Sequence, residues 1–215
     1  MKKRSSRLII PMPDYERIFK TIHGILLTEK TDDSKSCLYF GIFGATILNH
    51  YYKLNAKVKM GCFFFKPFLE SNNVLAFAKM ENGHLISSYD AFHCWIEVGD
   101  YIIDFTAPLY RKLLAEYEMP SVIERKMFQK PISDTSPSPN EVSNAGSFFL
   151  ASNSILESQL MNEFFMKQTN KDLMEICLDW FKPYPKKMDV VVHIGDGKGD
   201  INTAKLSPFS ITGAW

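Results

Sequence analysis

Two short alternating segments, His93 to Val98 and Tyr101 to Thr106, constrain the fold of this chain more than any other feature. Only Gly99-Asp100 separates them, and a two-residue connection containing glycine is typical of a β-hairpin. The sequence therefore predicts an antiparallel hairpin, and around it a sheet, in the middle third of the chain.

The turn fixes which side chains share a face of this hairpin. If Gly99-Asp100 is the turn, Val98 pairs with Tyr101, and alternate residues of each strand point to the same side. One face then carries His93, Trp95, Glu97, Ile102, Asp104 and Thr106. His93 and Asp104 become diagonal neighbours with backbones roughly 7–8 Å apart, within reach of a side-chain contact. A slip of one residue would place them on opposite faces.

The remaining periodicity predicts an α+β fold. Helical spacing is found at Asp14–Leu27, Cys37–Tyr52, Leu109–Tyr117, Ser154–Gln168 and Asp172–Phe181, with Ser121–Phe128 a further helix candidate. Strand patterns are found at Val58–Phe65, Val74–Lys79, His84–Ser88 and Met188–Ile194, with a turn at Glu81-Asn82-Gly83. We expect N-terminal helices packed on a central antiparallel sheet, with extra helices towards the C-terminus. The length of 215 residues suits a single domain spanning residues 1–215, in which Pro131–Ala145 is an exposed loop.

The charge balance disfavours several classes of partner. Lys and Arg number 25 against 24 Asp and Glu, which gives a net charge of +1 and no basic footprint for nucleic acid or an anionic membrane. No apolar run has the length of a membrane span. After the charged N-terminus only Leu8, Ile9 and Ile10 precede Pro11, which is too short for the apolar region of a secretory signal. We expect a cytoplasmic protein without nucleic-acid or membrane partners, and its oligomeric state stays open.

The four cysteines, Cys37, Cys62, Cys94 and Cys177, are scattered without CxxC spacing, which predicts neither a metal site nor a bound cofactor. Cys37 stands out because it opens a helix, near the candidate capping residues Ser34 and Ser36. A helix N-terminus stabilises a thiolate, the reactive form of cysteine. A neighbouring imidazole would complete its activation, and a carboxylate on the other ring nitrogen would orient that imidazole.

The same helix carries Gly41 and Gly44, whose spacing favours close packing against another element. The other cysteines are poorer candidates for a nucleophile. Cys94 faces away from His93, Cys62 lies in an aromatic strand where burial raises a thiol pKa, and Cys177 lies in an amphipathic helix.

Each candidate also has a purely structural interpretation. Cys37 can be a small buried hydrophobe, His93 a core histidine, and Asp104 a residue of the turn that follows its strand. Trp95 is more often a core residue than a substrate contact, and Glu97 more often a solvated strand residue than a catalytic one.

Taken together, the motifs resemble a known superfamily. The run from His93 to Val98 and the run from Tyr101 to Thr106 are similar to the H-x-W-x-E-V … D-x-T signature of transglutaminase-like proteins in the papain-like cysteine superfamily. In that superfamily a helix-borne Cys precedes the His and Asp strands. Ser36-Cys37-Leu-Tyr-Phe40 resembles the S-C-x-x-F of papain-type peptidases. Thr31 stands where those enzymes place the glutamine of the oxyanion hole.

The resemblance implies a Cys-His-Asp triad that acts on an amide or peptide substrate. Cys37 would attack a carbonyl, His93 would transfer the proton, and Asp104 would orient the imidazole. The backbone N–H of Cys37 would be the first oxyanion donor, the second stays open, and Trp95 would contact the substrate. The implied activities are those of a peptidase, deamidase or transglutaminase-like acyltransferase. The alternative is an inactive member of the fold that serves as a protein-interaction module.

Overall fold

The computed structural model describes residues 8–29, 36–68, 73–115, 124–195 and 199–215. The helices are α1 (Met12–Glu29), α2 (Ser36–Tyr52), α3 (Tyr110–Ala115), α4 (Ser154–Met166) and α5 (Gln168–Trp180). The strands are β1 (Ala56–Phe65), β2 (Leu75–Phe77), β3 (Lys79–Glu81), β4 (His84–Ile86), β5 (His93–Val98), β6 (Tyr101–Asp104), β7 (Lys126–Pro131), β8 (Phe148–Ser152), β9 (Val191–Gly195), β10 (Ile201–Lys205) and β11 (Gly213–Ala214).

A central sheet runs in the order β11-β7-β6-β5-β1-β2, and β8 also pairs with β1. Its pairs are antiparallel except for the parallel pair of β11 with β7. Strands β9 and β10 form a separate antiparallel hairpin, as do β3 and β4. Helices flank the sheet, so the α+β prediction is confirmed, as are the two helices near the C-terminus.

The two faces of the sheet bury two separate apolar clusters. Helices α1, α2, α4 and α5 pack with the β5 residues Cys94, Ile96 and Val98 in the first cluster. Trp95 points to the other side and belongs to the second cluster, with Phe63 of β1. This division follows from the strand period of two, because successive side chains of β5 point to opposite faces.

Glycines allow α2 to approach the hairpin closely, as their spacing predicts. A Cβ at Gly41 would lie 2.3 Å from Cys94 Sγ, and a Cβ at Gly44 would lie 2.5 Å from Phe105 Cδ2. Any larger residue at either position would push the helix away from β5.

Several boundaries differ from the sequence-based predictions. The strand predicted at Val74–Lys79 is shorter, because β2 ends at Phe77 and pairs with β1, whereas Lys79 begins β3, which pairs with β4. The helix suggested at Ser121–Phe128 is wrong in its described part, where β7 begins at Lys126 and pairs with β6; residues 121–123 lie outside the described residues.

The strands and helices near the hairpin and the C-terminus also shift. Strand β6 ends at Asp104 rather than Thr106, because a 3₁₀ turn spans Ala107–Leu109. The helix predicted at Leu109–Tyr117 covers Tyr110–Ala115, beyond which the chain is outside the described residues. The last strands, β9 and β10, pair with each other.

The segment Pro131–Ala145 contains the end of β7 and two 3₁₀ turns, Ile132–Asp134 and Pro139–Glu141. Its side chains are largely half-buried or exposed, with Val142 buried. Thr135 forms a bridge to Phe148, which ties the segment to the start of β8.

Candidate active site

The hairpin of β5 and β6 brings His93 and Asp104 together. Val98 pairs with Tyr101 and Ile96 pairs with Ile103, which is the register that the two-residue turn predicts. His93 Nε2 lies 2.8 Å from Asp104 Oδ2, and both side chains are buried. The prediction that these two residues share a face and make contact is therefore confirmed.

Asp104 is fixed at each of its oxygen atoms. Its Oδ1 accepts a hydrogen bond of 2.7 Å from the Thr106 backbone N–H. Its Oδ2 accepts a bond from the Tyr110 hydroxyl in addition to its contact with His93. Its backbone carbonyl accepts a bond from the Tyr15 hydroxyl. A buried carboxylate needs such donors, because without them its charge is costly to desolvate.

Aromatic rings surround the imidazole of His93. Phe77 stacks on it with ring centroids 4.5 Å apart, and the centroids of Phe63 and Tyr110 lie at 4.8 and 6.0 Å. The ring is 0% exposed. Water is therefore displaced from around the His93–Asp104 pair, which strengthens their electrostatic interaction.

The environment raises the pKa of His93 from 6.5 to about 10. Burial alone acts in the opposite direction, because it disfavours the imidazolium. The charge of Asp104 and its hydrogen bond outweigh burial, and the Cys37 thiol adds to the upward shift. The site therefore favours a protonated His93 at neutral pH.

The Cys37 thiol interacts with the imidazole of His93, whose Nδ1 is the nitrogen that Asp104 does not contact. His93 Nδ1 is buried and forms no regular hydrogen bond with any part of the chain that the structure describes. The interaction of Cys37 with the ring contributes to the raised pKa of His93. Because Nε2 is held by Asp104, Nδ1 is the nitrogen that remains for proton exchange with the thiol.

Helix α2 positions Cys37 in its first turn, directly after Ser36, and the thiol-bearing residue is 6% exposed. Backbone N–H groups in the first turn of a helix have no partner within the helix and carry partial positive charge. The Cys37 N–H is therefore available as an oxyanion donor. Ser36 is the first residue of the helix rather than its cap. The other capping candidate, Ser34, and the oxyanion position Thr31 lie outside the described residues.

The three other cysteines are buried in surroundings that disfavour a thiolate. Burial raises the pKa of Cys62, Cys94 and Cys177. For Cys94, the charge of Cys37 raises it further. The prediction that burial raises the thiol pKa of Cys62 is therefore confirmed.

Trp95 does not occupy the position predicted for a substrate contact. Its side chain is 0% exposed and packs in the second apolar cluster, where its Nε1 donates to Glu97 Oε1 at 3.2 Å. The alternation of β5 sends it into the core beneath the sheet, so the interpretation of Trp95 as a core residue is the one that the structure supports.

Two tyrosines complete the site without having been singled out from the sequence. Tyr110 begins α3, six residues after Asp104, and Tyr15 lies in α1, where its hydroxyl also accepts the Phe128 N–H at 3.2 Å. Tyr110 and Asp104 are close in the sequence, and this proximity could have indicated the hydrogen bond between the Tyr110 hydroxyl and the Asp104 carboxylate. Tyr15 gives no such signal, since 89 residues separate it from Asp104.

Two further classes of feature are missing from the described ranges. They contain no group of three or more His, Cys, Asp or Glu side chains placed to hold a metal ion. None of the helices described in the structure has the length and hydrophobicity needed to cross a membrane.

Comparison with other proteins gives a family and a fold. The model of the family described as "Protein of unknown function (DUF2026)" matches residues 11–215. The solved structure described as "The crystal structure of genomics APC5867" is 28% identical in sequence, with a TM-score of 0.85 and 100% of each chain covered. Among curated proteins, none is significantly similar in sequence to this chain.

Proposed function

Given that the chain belongs to the DUF2026 family, we propose that it is a cysteine-dependent hydrolase or acyltransferase that acts on an amide or peptide substrate. The main observation in support of this proposal is that the two ring nitrogens of His93 have different surroundings. Asp104 holds Nε2 at 2.8 Å, while the buried Nδ1 forms no regular hydrogen bond with the described residues, in a site that also holds Cys37. A core histidine that serves packing alone has no need of this arrangement.

The order of the elements supports membership of the papain-like, transglutaminase-like superfamily. The thiol lies on a helix, the histidine on the first strand of a later hairpin, and the aspartate on the second strand. That order is the one that the resemblance in sequence implies. The matching geometry strengthens the resemblance, because the hydrogen bond between His93 and Asp104 was not among the observations that suggested it.

The proposed reaction starts from a thiolate–imidazolium pair, which forms when the Cys37 thiol gives its proton to His93 Nδ1. The thiolate attacks the substrate carbonyl carbon, forming a C–S bond and an oxyanion that the Cys37 backbone N–H stabilises. The oxyanion collapses, the C–N bond breaks, and His93 gives its proton to the leaving amine. Water or a second amine then attacks the thioester, with His93 accepting its proton, and the Cys37 thiolate is released.

Asp104 keeps its charge throughout this cycle and orients the imidazole. Its bond to Nε2 leaves Nδ1 directed to the sulfur and stabilises the imidazolium that forms in the first step. Tyr110 and Thr106 hold the carboxylate in place for this purpose.

Trapping the thioester tests the proposal directly. The protein is incubated with an aryl ester and with peptide amides, quenched in acid, and examined by intact-mass and peptide mass spectrometry. We expect an acyl adduct on Cys37, which Cys37→Ala abolishes and the matched variant Cys62→Ala preserves. An adduct spread equally over Cys37 and Cys62, or none with any donor, contradicts the proposal. Added primary amines that consume the adduct faster than water distinguish transfer from hydrolysis.

The second candidate is a non-enzymatic interaction module, and the enclosure of the site favours it. Cys37 is 6% exposed and His93 0%, so little of either side chain is open to a substrate. An interaction module requires no reactive thiol. It therefore predicts that Cys37→Ala leaves every binding partner bound and that Cys37 forms no adduct.

The proposal also places the protein in the cytoplasm and gives it no nucleic-acid or membrane partner. Its four cysteines are unpaired, which suits a reducing compartment in which a thiol nucleophile stays active.

A further inference from the structure

A second thiol lies beside the proposed nucleophile and has no part in the reaction described above. Cys94 follows His93 in β5 and points to the helix-facing side of the sheet, where it is buried. Its Sγ fits against Gly41 of α2, 2.3 Å from the place where a Cβ would stand. The sulfur thus occupies the space that a side chain at position 41 would fill.

Cys37 lies one helical turn before Gly41 on the same side of α2. Positions four residues apart on a helix have Cβ atoms about 5–6 Å from one another. The Cys94 sulfur therefore lies within about 8 Å of the Cys37 Cβ, across the junction of α2 and β5. The electrostatics agree: burial raises the pKa of Cys94 most, and the charge of Cys37 is the next cause.

We propose that Cys94 is a resolving thiol, which forms a reversible disulfide with Cys37 after a hydroperoxide oxidises Cys37, and so protects and switches off the site. The proposal rests on the proposed function in one respect, since it takes Cys37 to be the reactive thiolate.

The chemistry balances in two steps. The Cys37 thiolate attacks the terminal oxygen of the hydroperoxide, an S–O bond forms, the O–O bond breaks and the alkoxide or hydroxide leaves, so that sulfur is oxidised to a sulfenic acid. The Cys94 sulfur then attacks Cys37, forming the S–S bond. The hydroxyl group leaves with the Cys94 proton as water. An external dithiol reverses the change and is itself oxidised.

The charges at the site explain why Cys37 reacts first and Cys94 second. While Cys37 is a thiolate, its negative charge helps to keep Cys94 protonated and inert. A sulfenic acid is neutral, so oxidation of Cys37 removes that contribution and makes the Cys94 thiolate easier to form. Cys94 needs no access to solvent, because the oxidant reacts only at Cys37.

Peptide mapping under non-reducing conditions tests the proposal, because Lys or Arg residues between the cysteines place each on its own tryptic peptide. The wild-type protein is treated with hydrogen peroxide, and separately with diamide, which couples neighbouring thiols without a sulfenic acid. We expect a linked Cys37–Cys94 peptide from both reagents and full recovery of Cys37 alkylation after dithiothreitol.

Three variants complete the test. Cys94→Ala and Cys94→Ser should lose the linked peptide, and their Cys37 should proceed to a sulfinic acid that dithiothreitol does not reverse. Cys62→Ala should behave as wild type, and thermal unfolding checks that each variant is folded. Pairing of Cys37 with Cys62 or Cys177, or unchanged recovery in the Cys94 variants, overturns the proposal.

The two proposals fail in different ways. If Cys37 accepts acyl groups or is alkylated readily but neither reagent links it to Cys94, only the resolving role is wrong. If Cys37 accepts no acyl group but diamide links it to Cys94, the thiols are neighbours and the hydrolase or acyltransferase is wrong. If peroxide then also leaves Cys37 unmodified, the resolving role is wrong as well.

Discussion

The two faces of the β5–β6 hairpin have the same backbone and opposite roles. On the helix-facing side, Ile96 and Ile103 pack in the larger apolar cluster against α2. On the other side, His93 and Asp104 form a buried polar pair among aromatic rings. One face is stabilised by the burial of apolar surface. The other buries polar atoms, most of which have partners, although His93 Nδ1 has no regular hydrogen bond among the described residues.

This difference shows how one hairpin can be both a structural support and a reactive site. The apolar face anchors the hairpin to the helix that carries Cys37, and so sets where the thiol meets the imidazole. On the polar face, the buried charges of His93 and Asp104 add little to the stability of the protein. Their surroundings determine which of these groups is protonated. Mutations of the apolar face should lower stability and leave the chemistry intact, whereas mutations of the polar pair and its donors should change the chemistry and cost less stability.

The largest effect is expected for Ile96→Ala on the apolar face. Ile96 is fully buried, and its Cδ1 lies 3.0 Å from the position that a Cβ on Gly44 would take. Truncation should lower the free energy of unfolding by about 2–5 kcal/mol, measured by denaturant titration. The exposed Ile155 is the matched control, whose change to alanine should cost less than about 0.5 kcal/mol. If folded Ile96→Ala protein lost the reactivity of Cys37, the apolar face would affect the chemistry as well as the stability, which contradicts the separate roles of the two faces.

Asp104→Asn should have the largest effect on the chemistry. The amide keeps the size of the side chain but removes the charge that raises the pKa of His93. The rate of Cys37 alkylation at pH 6 should fall by about 10- to 100-fold, since an unpaired thiol with a pKa of about 8.5 is almost entirely protonated there. Asp100→Asn, in the exposed turn of the same hairpin, should react as wild type. Equal rates for Asp104→Asn and wild type would contradict the role of the carboxylate.

The His93–Asp104 pair should make the stability of the protein depend on pH. The pKa of His93 is about 10 in the folded protein against an ordinary value of 6.5. The folded state therefore binds this proton more tightly, so the contribution is fully present below about pH 6.5 and is lost as the pH rises through about 10. The difference in the free energy of unfolding between wild type and Asp104→Asn should thus be larger at pH 6 than at pH 9.5. A difference that does not change with pH would show that the pair does not hold the proton.

Tyr110→Phe should have the smallest effect of the series. It removes one donor from Asp104 Oδ2, which keeps His93 as a partner, while Oδ1 keeps the Thr106 N–H. We expect a loss of about 1–2 kcal/mol in the free energy of unfolding, together with a shift in the titration of the His93 ring observed by NMR. Tyr101→Phe, on the opposite face of β6, should leave that titration unchanged. Stability lost without any change in the titration would assign Tyr110 to packing alone.

The hairpin register could be predicted from the sequence because a two-residue turn fixes every pair that follows it. The bounds of α1 and α2 were also close to the prediction, since long helices with regular apolar spacing leave little freedom. The polar pair followed from the register, as both residues had to share one face.

Other features could not be predicted because distant residues decide them. Strand β7 exists because β6 offers it an edge, with Asp104 opposite Phe128, and nothing within residues 121–128 indicates this pairing. The contact of Tyr15 with the Asp104 carbonyl likewise depends on how α1 lies over the sheet. The sequence left open whether Trp95 is a core residue or a substrate contact, because it places Trp95 only on the same face as His93. It does not show that the second apolar cluster covers this part of the face.

The proposed chemistry requires Cys37 and His93 to form a thiolate–imidazolium pair, which alkylation of the native protein between pH 5 and pH 9 would reveal. Mass spectrometry follows each cysteine separately. We expect Cys37 to react at a pH well below the ordinary thiol pKa of about 8.5 and faster than Cys62, Cys94 and Cys177. The variant His93→Ala should lose this advantage. If Cys37 reacts only when the protein unfolds, or no faster than Cys62 and Cys94, there is no ion pair and the proposed chemistry is wrong.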